Sequence, residues 1–106
     1  MKTSRIYISG PISGRKREDY LLDFAAAQVE LEACGYEVVN PCRLAPCRWP
    51  WLYSILGYRL TLLYDLWHLM HCNGIYLLYG WQHSRGARIE YEVARQLGIH
   101  EVQSYA

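Results

Sequence analysis

The strongest constraint on the fold is a regular alternation of short apolar runs with longer helical segments. Four runs rich in β-branched or aromatic residues predict strands at 5–9, 36–40, 74–79 and 100–105. Apolar residues at helical spacing predict helices at 18–34, 51–72 and 84–97, the second broken near Gly57. Short apolar strands alternating with helices are typical of a parallel sheet covered on both faces. The 106 residues suit one domain, spanning 1–106.

The last predicted helix carries an acid on its apolar side. Ser84 can cap its start by accepting backbone hydrogen bonds, and Gly98 can end it. At 100° per residue, Glu90 falls in the middle of the apolar stripe, whereas Glu92 falls on the solvated side. The stripe consists of Gly86, Ala87, Glu90, Val93, Ala94 and Leu97. Because a buried carboxylate is costly, Glu90 is expected to belong either to a structural ion pair or to a functional site.

A second acid, Asp65, lies on a predicted helix that is apolar on nearly all sides. We therefore expect Asp65 to be enclosed. Two shielded acids can differ in pKa, so that one is ionised and the other protonated. That combination suits attack at a sugar carbon coupled to protonation of the leaving group. The alternative is a structural role for Asp65, as a partner of Arg59 or in a helix-cap contact.

Three segments are expected to meet at the carboxyl edge of the sheet, where ligands of such folds bind. They are the loop 9–15, the loop 80–86 with the helix start that follows, and the segment after the second strand. In the first loop, Gly10 and Gly14 let backbone N–H groups approach an anion, and Ser9 and Ser13 add hydroxyls. A tight strand-to-helix turn without a ligand explains the same residues.

Composition limits which binding partners and which cellular location are expected. The net charge of +1 gives no overall electrostatic reason to expect a nucleic-acid or membrane partner. Four cysteines without a CxxC pair, and no signal-peptide pattern, predict free thiols and a cytoplasmic location. A metal site would have to combine Cys42, Cys47, His68 and His71, whose spacing matches no common zinc pattern. We therefore expect no metal.

Four segments together resemble the nucleoside 2-deoxyribosyltransferase superfamily, which also contains the 2'-deoxynucleoside 5'-phosphate N-hydrolases. They are IYISGPISG at 6–14, GYEVVNP at 35–41, DL at 65–66 and SRGARIE at 84–90. The resemblance is greatest to a small bacterial and phage branch of uncharacterised proteins. It implies a Rossmann-like (flavodoxin-like) three-layer α/β sandwich with a parallel sheet of four to five strands. It also implies a homodimer or a larger homo-oligomer.

The resemblance also implies roles for individual residues. The superfamily motif Ser-x-Gly-x-x-x-Glu falls on Ser84, Gly86 and Glu90, which makes Glu90 the nucleophile that attacks C1' of the sugar. Asp65 would protonate the departing base or orient the sugar, and Tyr7 would hydrogen-bond the catalytic Glu. A 5'-phosphate would be held by the first loop and the motif serine. The candidate substrate- or phosphate-binding residues are Ser9, Gly10, Ile12, Ser13, Gly14, Arg15, Ser84, Arg85 and Gly86, of which Arg15 and Arg85 are included for their charge and position.

The expected function is cleavage of the N-glycosidic bond of a nucleoside or its 5'-monophosphate, with release or transfer of the base. The implied chemistry requires no metal or organic cofactor. Two alternatives are a nucleotide-binding or sensing module without turnover, and an interaction protein that docks through its aromatic segment 49–53. Those aromatic residues could also stack a nucleobase or close a pocket, although such residues are more often part of a core or a subunit interface. Asn73 also departs from the superfamily, which often has Asp there.

Overall fold

The computed structural model describes residues 4–12, 14–44 and 50–102. Its strands are β1 (Arg5–Ser9), β2 (Glu37–Val39), β3 (Gly74–Leu77) and β4 (His100–Val102). Its helices are α1 (Arg17–Ala33), α2 (Pro50–Met70) and α3 (Arg85–Gln96). Short 3-10 turns at Pro41–Arg43 and Trp81–His83 follow β2 and β3. The predicted alternation of strands and helices is confirmed.

The four strands form one parallel sheet in the order β2-β1-β3-β4. This order matches that of flavodoxin-like sheets, so the predicted fold class is confirmed. The chain leaves β1 toward one edge of the sheet and later returns to β3 on the other side of β1. The connections that follow β1 and β3 therefore lead toward opposite edges of the sheet. This makes the position between the two strands a topological switch point, which is where ligands bind in folds of this kind.

The pleat of β1 divides the core into two clusters, one on each face of the sheet. Successive side chains of a strand point to opposite faces. On one face, Ile6 and Ile8 pack with Phe24, Ala27, Leu31, Cys42 and Tyr76. On the other face, Tyr7 packs with Leu69, Cys72, Ile75 and Ala94. Helix α1 therefore covers the first face, and α2 and α3 cover the second.

Two glycines shape the helices on the second face as predicted. Gly98 has φ 73° and ends α3, and the N–H of Ile99 donates back to the carbonyl of Ala94 at 2.9 Å. Gly57 has φ 77° and interrupts α2. Leu97 was expected on the buried stripe but is exposed, because it lies beyond the last turn of α3. Across the described ranges, no helix has the length and hydropathy needed to cross a membrane.

Candidate active site

Glu90 lies on the side of α3 that faces the sheet. The Ser84 hydroxyl caps α3 by accepting a hydrogen bond from the N–H of Ala87 at 3.3 Å, and thereby fixes where the helix begins. Ala87, Glu90 and Ala94 are then buried. Glu90 is 7% exposed, whereas Glu92 is exposed and hydrogen-bonds Arg95. The predicted burial of Glu90 and exposure of Glu92 are both confirmed.

Both carboxylate oxygens of Glu90 accept a hydroxyl hydrogen bond from β1. Tyr7 and Ser9 are two residues apart on the strand, so the pleat brings both side chains to the face that α3 covers. The Tyr7 hydroxyl donates to Oε2, and the Ser9 hydroxyl donates to Oε1 at 2.7 Å. Both donors are buried. The orientation of the carboxylate is therefore fixed by two groups on a central strand.

The site is electrostatically unusual because it buries an acid among neutral partners. Burial raises the pKa of Glu90 to about 7, although the hydrogen bonds from Tyr7 and Ser9 lower it. Burial, followed by the charge of Glu90, raises the pKa of Tyr7 well above its ordinary value, so the phenol remains a neutral donor. None of the ion pairs between described residues includes Glu90. The structural ion pair considered for Glu90 is therefore absent from the described part of the chain.

Asp65 lies on the same side of the sheet as Glu90. Its helix, α2, contributes Leu69 to the cluster that contains Tyr7, and Cys72, just after the helix, belongs to the same cluster. The charge of Asp65 adds to the rise in the pKa of Tyr7, which places this carboxylate in the electrostatic surroundings of the site. Asp65 is half-buried. Asp65 was expected to be enclosed and is so only in part, because the outer face of its helix is exposed.

Thr61 is a polar residue of this region that the sequence analysis missed. It lies one helical turn before Asp65 on the same face of α2 and is 8% exposed. Its hydroxyl has no hydrogen-bond partner among the residues that the structure describes. A buried polar group without a partner is destabilising, so this hydroxyl lowers the stability of the fold on the inner side of α2. The available signal was its position four residues before Asp65.

The loops that follow β1 and β3 lie side by side at the carboxyl edge of the sheet. The N–H of Leu78 donates to the Ser9 carbonyl at 2.8 Å and so extends the pairing of the two strands. A Cβ added to Gly10 would lie 2.7 Å from that of Leu78, so the close approach of the loops requires glycine there. A Cβ added to Gly80 would lie 3.7 Å from Cγ of Pro11. Two of the three predicted segments therefore form one rim beside Glu90.

The remaining residues of the first loop have mainly structural contacts. Arg15 donates to the Pro11 carbonyl at 3.2 Å and pairs with Asp23 at 2.5 Å. The Ile12 carbonyl accepts the N–H of Arg15 at 3.2 Å, and its side chain packs against the α1-side cluster. Gly14 is exposed with φ 79°. Ser13 lies outside the described residues. Arg15 therefore braces the loop through Asp23 and Pro11.

The start of α3 presents the other candidate phosphate-binding residues. Ser84 and Gly86 are half-buried, and Arg85 is exposed. A helix N-terminus with free backbone N–H groups favours an anion. The structure thus brings this group to the same edge of the sheet as the first loop. Ser9 is set apart from the other candidates, because its hydroxyl is engaged with Glu90.

No metal-binding group is formed by the part of the chain that the structure describes, since no three His, Cys, Asp or Glu residues are suitably placed. Cys42 packs on the α1 side, whereas α2 carries His68 and packs on the opposite side, with His71 just beyond the end of the helix. Cys47 lies outside the described residues. A cavity of about 320 Å³ also lies on the α1 side, between Leu21, Gln28 and Asn40, and is therefore separated by the sheet from Glu90.

Comparison with known proteins places almost the entire chain in one family. Residues 4–103 match the model of a family described as a domain of unknown function (DUF4406). No curated protein matches the chain. The matched region includes Tyr7, Ser9, Asp65 and Glu90. The description of the family specifies no reaction, so the chemistry has to be argued from the geometry of the site.

Proposed function

The chain belongs to the family of domains of unknown function DUF4406, and we propose that it cleaves the N-glycosidic bond of a nucleoside or nucleoside 5'-monophosphate. One observation carries this proposal. Glu90 is a buried carboxylate, held on both oxygens by Tyr7 and Ser9, at the edge of the sheet where such folds bind ligands. The resemblance to the nucleoside 2-deoxyribosyltransferase superfamily supports the choice of substrate class.

In the proposed reaction, ionised Glu90 attacks C1' of the sugar. A bond forms between C1' and a carboxylate oxygen while the bond from C1' to the base nitrogen breaks, and the base leaves with the bonding electrons. Asp65 protonates the departing base or orients the sugar. Water, or an N–H nitrogen of a second base, then attacks C1' and releases Glu90 as a carboxylate, and the proton lost by the attacking group returns to Asp65 or passes to the departed base. The low-dielectric surroundings strengthen the attraction between the carboxylate and the positive charge that develops on the sugar.

The hydrogen bonds to Glu90 suit this role. Two donors lower the pKa of the carboxyl that burial raises, so a substantial fraction is ionised near neutral pH. Tyr7 and Ser9 are neutral and do not form a strong ion pair that attack would have to break. One of the two hydrogen bonds must lengthen as its oxygen bonds to C1'. The second can persist and keep the carboxyl group oriented.

A 5'-phosphate would bind at the rim beside Glu90. The backbone N–H groups at the start of α3, with Ser84, Arg85 and Gly86, provide donors and positive charge. Cys34 and Cys72 are free thiols, which suits the cytoplasm that we propose as the location. The resemblance further leads us to propose a homodimer or a larger homo-oligomer.

The decisive experiment is incubation of the purified protein with a panel of nucleosides and their 5'-monophosphates, followed by chromatography for free base. Glu90→Gln keeps the size of the side chain but removes the nucleophile, so base release should fall by about 1,000-fold or more. Glu92→Gln is the matched control, because it makes the same chemical change on the exposed side of α3 and should retain activity. Mass spectrometry of acid-quenched protein should detect a sugar ester on Glu90.

Three results would contradict the proposal in different ways. Equal base release by Glu90→Gln and the unchanged protein would exclude Glu90 as the nucleophile. Nucleotides that raise the melting temperature without releasing base would instead indicate a binding or sensing module. Neither binding nor base release across the whole panel would exclude this substrate class.

A further inference from the structure

The outer face of α2 exposes a continuous row of large apolar side chains, which we call the α2 stripe. Each of its residues lies three or four positions from at least one other along the helix, so all of them share one side. They are Leu60, Leu63, Tyr64, Trp67 and Met70, with exposed fractions of 53%, 61%, 38%, 57% and 57%. Leu69, on the opposite side of α2, is fully buried against the sheet. The helix is therefore apolar on both its inner and its outer side.

The exposed area of this face matches that of a protein interface. At about 200 Å² of accessible surface per large side chain, the α2 stripe exposes roughly 500 Å². Two copies that packed these stripes together would bury roughly 1,000 Å² in total, which is about the lower limit for a specific interface. Scattered exposed apolar residues are ordinary, but a contiguous row of this size indicates a binding surface.

The charge of this face favours a second copy of the same chain. No residue of the α2 stripe is charged, and the net charge of the whole chain is only +1. Two copies would therefore meet without strong electrostatic repulsion. A nucleic acid or an anionic membrane would require clustered Lys and Arg, whereas Leu60–Met70 holds none. An apolar surface without charge suits an equally apolar partner.

We propose that the α2 stripe is the surface through which two copies of this chain form a dimer. A two-fold axis near the middle of the stripe would place the two α2 helices antiparallel, so that each stripe packs against the other. The inner side of α2 carries Leu69, which packs with Tyr7. In the dimer, the helix that carries Asp65 would therefore be packed between the sheet and the partner copy. The proposal assigns a surface and does not depend on the proposed enzyme activity.

The test is the molar mass of the full chain in solution, measured by sedimentation velocity over about 1 to 100 µM, the range of moderate affinities. We expect twice the chain mass of 12.4 kDa. Leu63→Glu and Trp67→Glu should each weaken the dimer by at least 100-fold, because each places a charge in an apolar contact. Both positions are exposed in the single chain, so folding should survive, and circular dichroism verifies this. Val29→Glu is the matched control, since Val29 is 68% exposed on α1.

The outcomes separate the α2 stripe from other surfaces. A wild-type mass of one chain at 100 µM would overturn the proposal and leave the stripe for a different protein. A dimer that persists in both folded α2 variants, or that only Val29→Glu disrupts, would place the interface elsewhere and also overturn it. Because the measurement is of mass, a failure here is distinguishable from a failure of the glycosidase proposal.

Discussion

The two faces of the sheet share β1 but receive opposite kinds of side chain from it. Ile6 and Ile8 point toward α1 and meet mainly apolar groups, among them Phe24. Tyr7 and Ser9 point toward α3 and meet the carboxylate of Glu90. A single strand thus supplies an apolar core on one face and a polar site on the other. The comparison shows how a domain of this size can separate stability from chemistry.

Burial of side chains also has opposite effects on folding stability at the two faces. On the α1 face, burial of apolar side chains contributes to the free energy of folding. On the α3 face, the same degree of burial removes an acid from water and raises its pKa to about 7. Substitutions on the two faces should therefore affect stability in opposite directions. Four predictions test this difference, starting with the largest effect.

Phe24→Ala tests the apolar face. Phe24 is fully buried at the centre of the α1-side cluster, so its truncation should lower the free energy of unfolding by about 3 to 5 kcal/mol. Urea unfolding measures the change. Leu22→Ala, at a 68% exposed position of the same helix, is the control and should change stability by about 0.5 kcal/mol or less. Equal effects of the two substitutions would show that α1 does not pack as described.

Glu90→Gln tests the polar face through the pH dependence of stability. Below pH 4.5 the acid is protonated in both the folded and the unfolded chain. Between pH 4.5 and about 7 the unfolded chain ionises first, so folding stability falls as pH rises, by about 3 kcal/mol in total. Glu90→Gln cannot ionise and should lack this fall, so above pH 7 it should be the more stable protein.

The measurement is urea unfolding at several pH values between 4 and 8. Glu92→Gln is the control, because it removes an exposed acid from the same helix and should retain the fall. A wild-type protein whose stability does not decrease relative to Glu90→Gln over this range would contradict the raised pKa of Glu90. The two faces would then differ in the kinds of side chain they bury, but not in the effect of that burial on stability.

Much of this difference was predictable from periodicity. The helical spacing of 84–97 placed Glu90 on a buried stripe, and the glycines marked where helices end. The role of Ser9 was not predictable from local chemistry, since a serine beside Gly10 also suits a phosphate loop. The strand was correctly predicted to extend through Ser9, but the hydroxyl meets Glu90 only because α3 packs over that face of β1. The chemistry of the residue was visible in the sequence, but its partner depended on tertiary packing.

The surroundings of α2 show a second reason why the structure could be predicted only in part from the sequence. An apolar residue such as Leu63 suits the core of a monomer and an interface equally well, because both remove it from water. Which side of α2 packs against the sheet could therefore not be decided from the apolar residues alone. In the structure, Leu69 faces the sheet and Leu63 is exposed. This distinction requires tertiary packing, which helical periodicity alone does not contain.

Tyr7→Phe and Ser9→Ala test the two hydrogen bonds to the Glu90 carboxylate. Each removes a hydrogen bond that lowers the pKa of Glu90, so each should raise that pKa further, by about one unit. If ionised Glu90 is the nucleophile, the acid limb of the pH profile of kcat/KM should move upward by the same amount. Ile8→Val, between these residues but on the other face, should leave the limb in place. An unmoved limb in both variants would exclude control of Glu90 by these hydroxyls.

Thr61→Val tests the smallest polar feature of the same face. Valine replaces the buried hydroxyl, which has no hydrogen-bond partner in the described part of the chain, with a methyl group of similar size, so the free energy of unfolding should rise by about 1 kcal/mol. Thr61→Ser is the control, because it keeps the hydroxyl, removes the methyl group and should destabilise. If Thr61→Val destabilises as well, the hydroxyl has a partner. If it stabilises but raises KM, the hydroxyl binds substrate, and the polar face has exchanged stability for binding at this position as at Glu90.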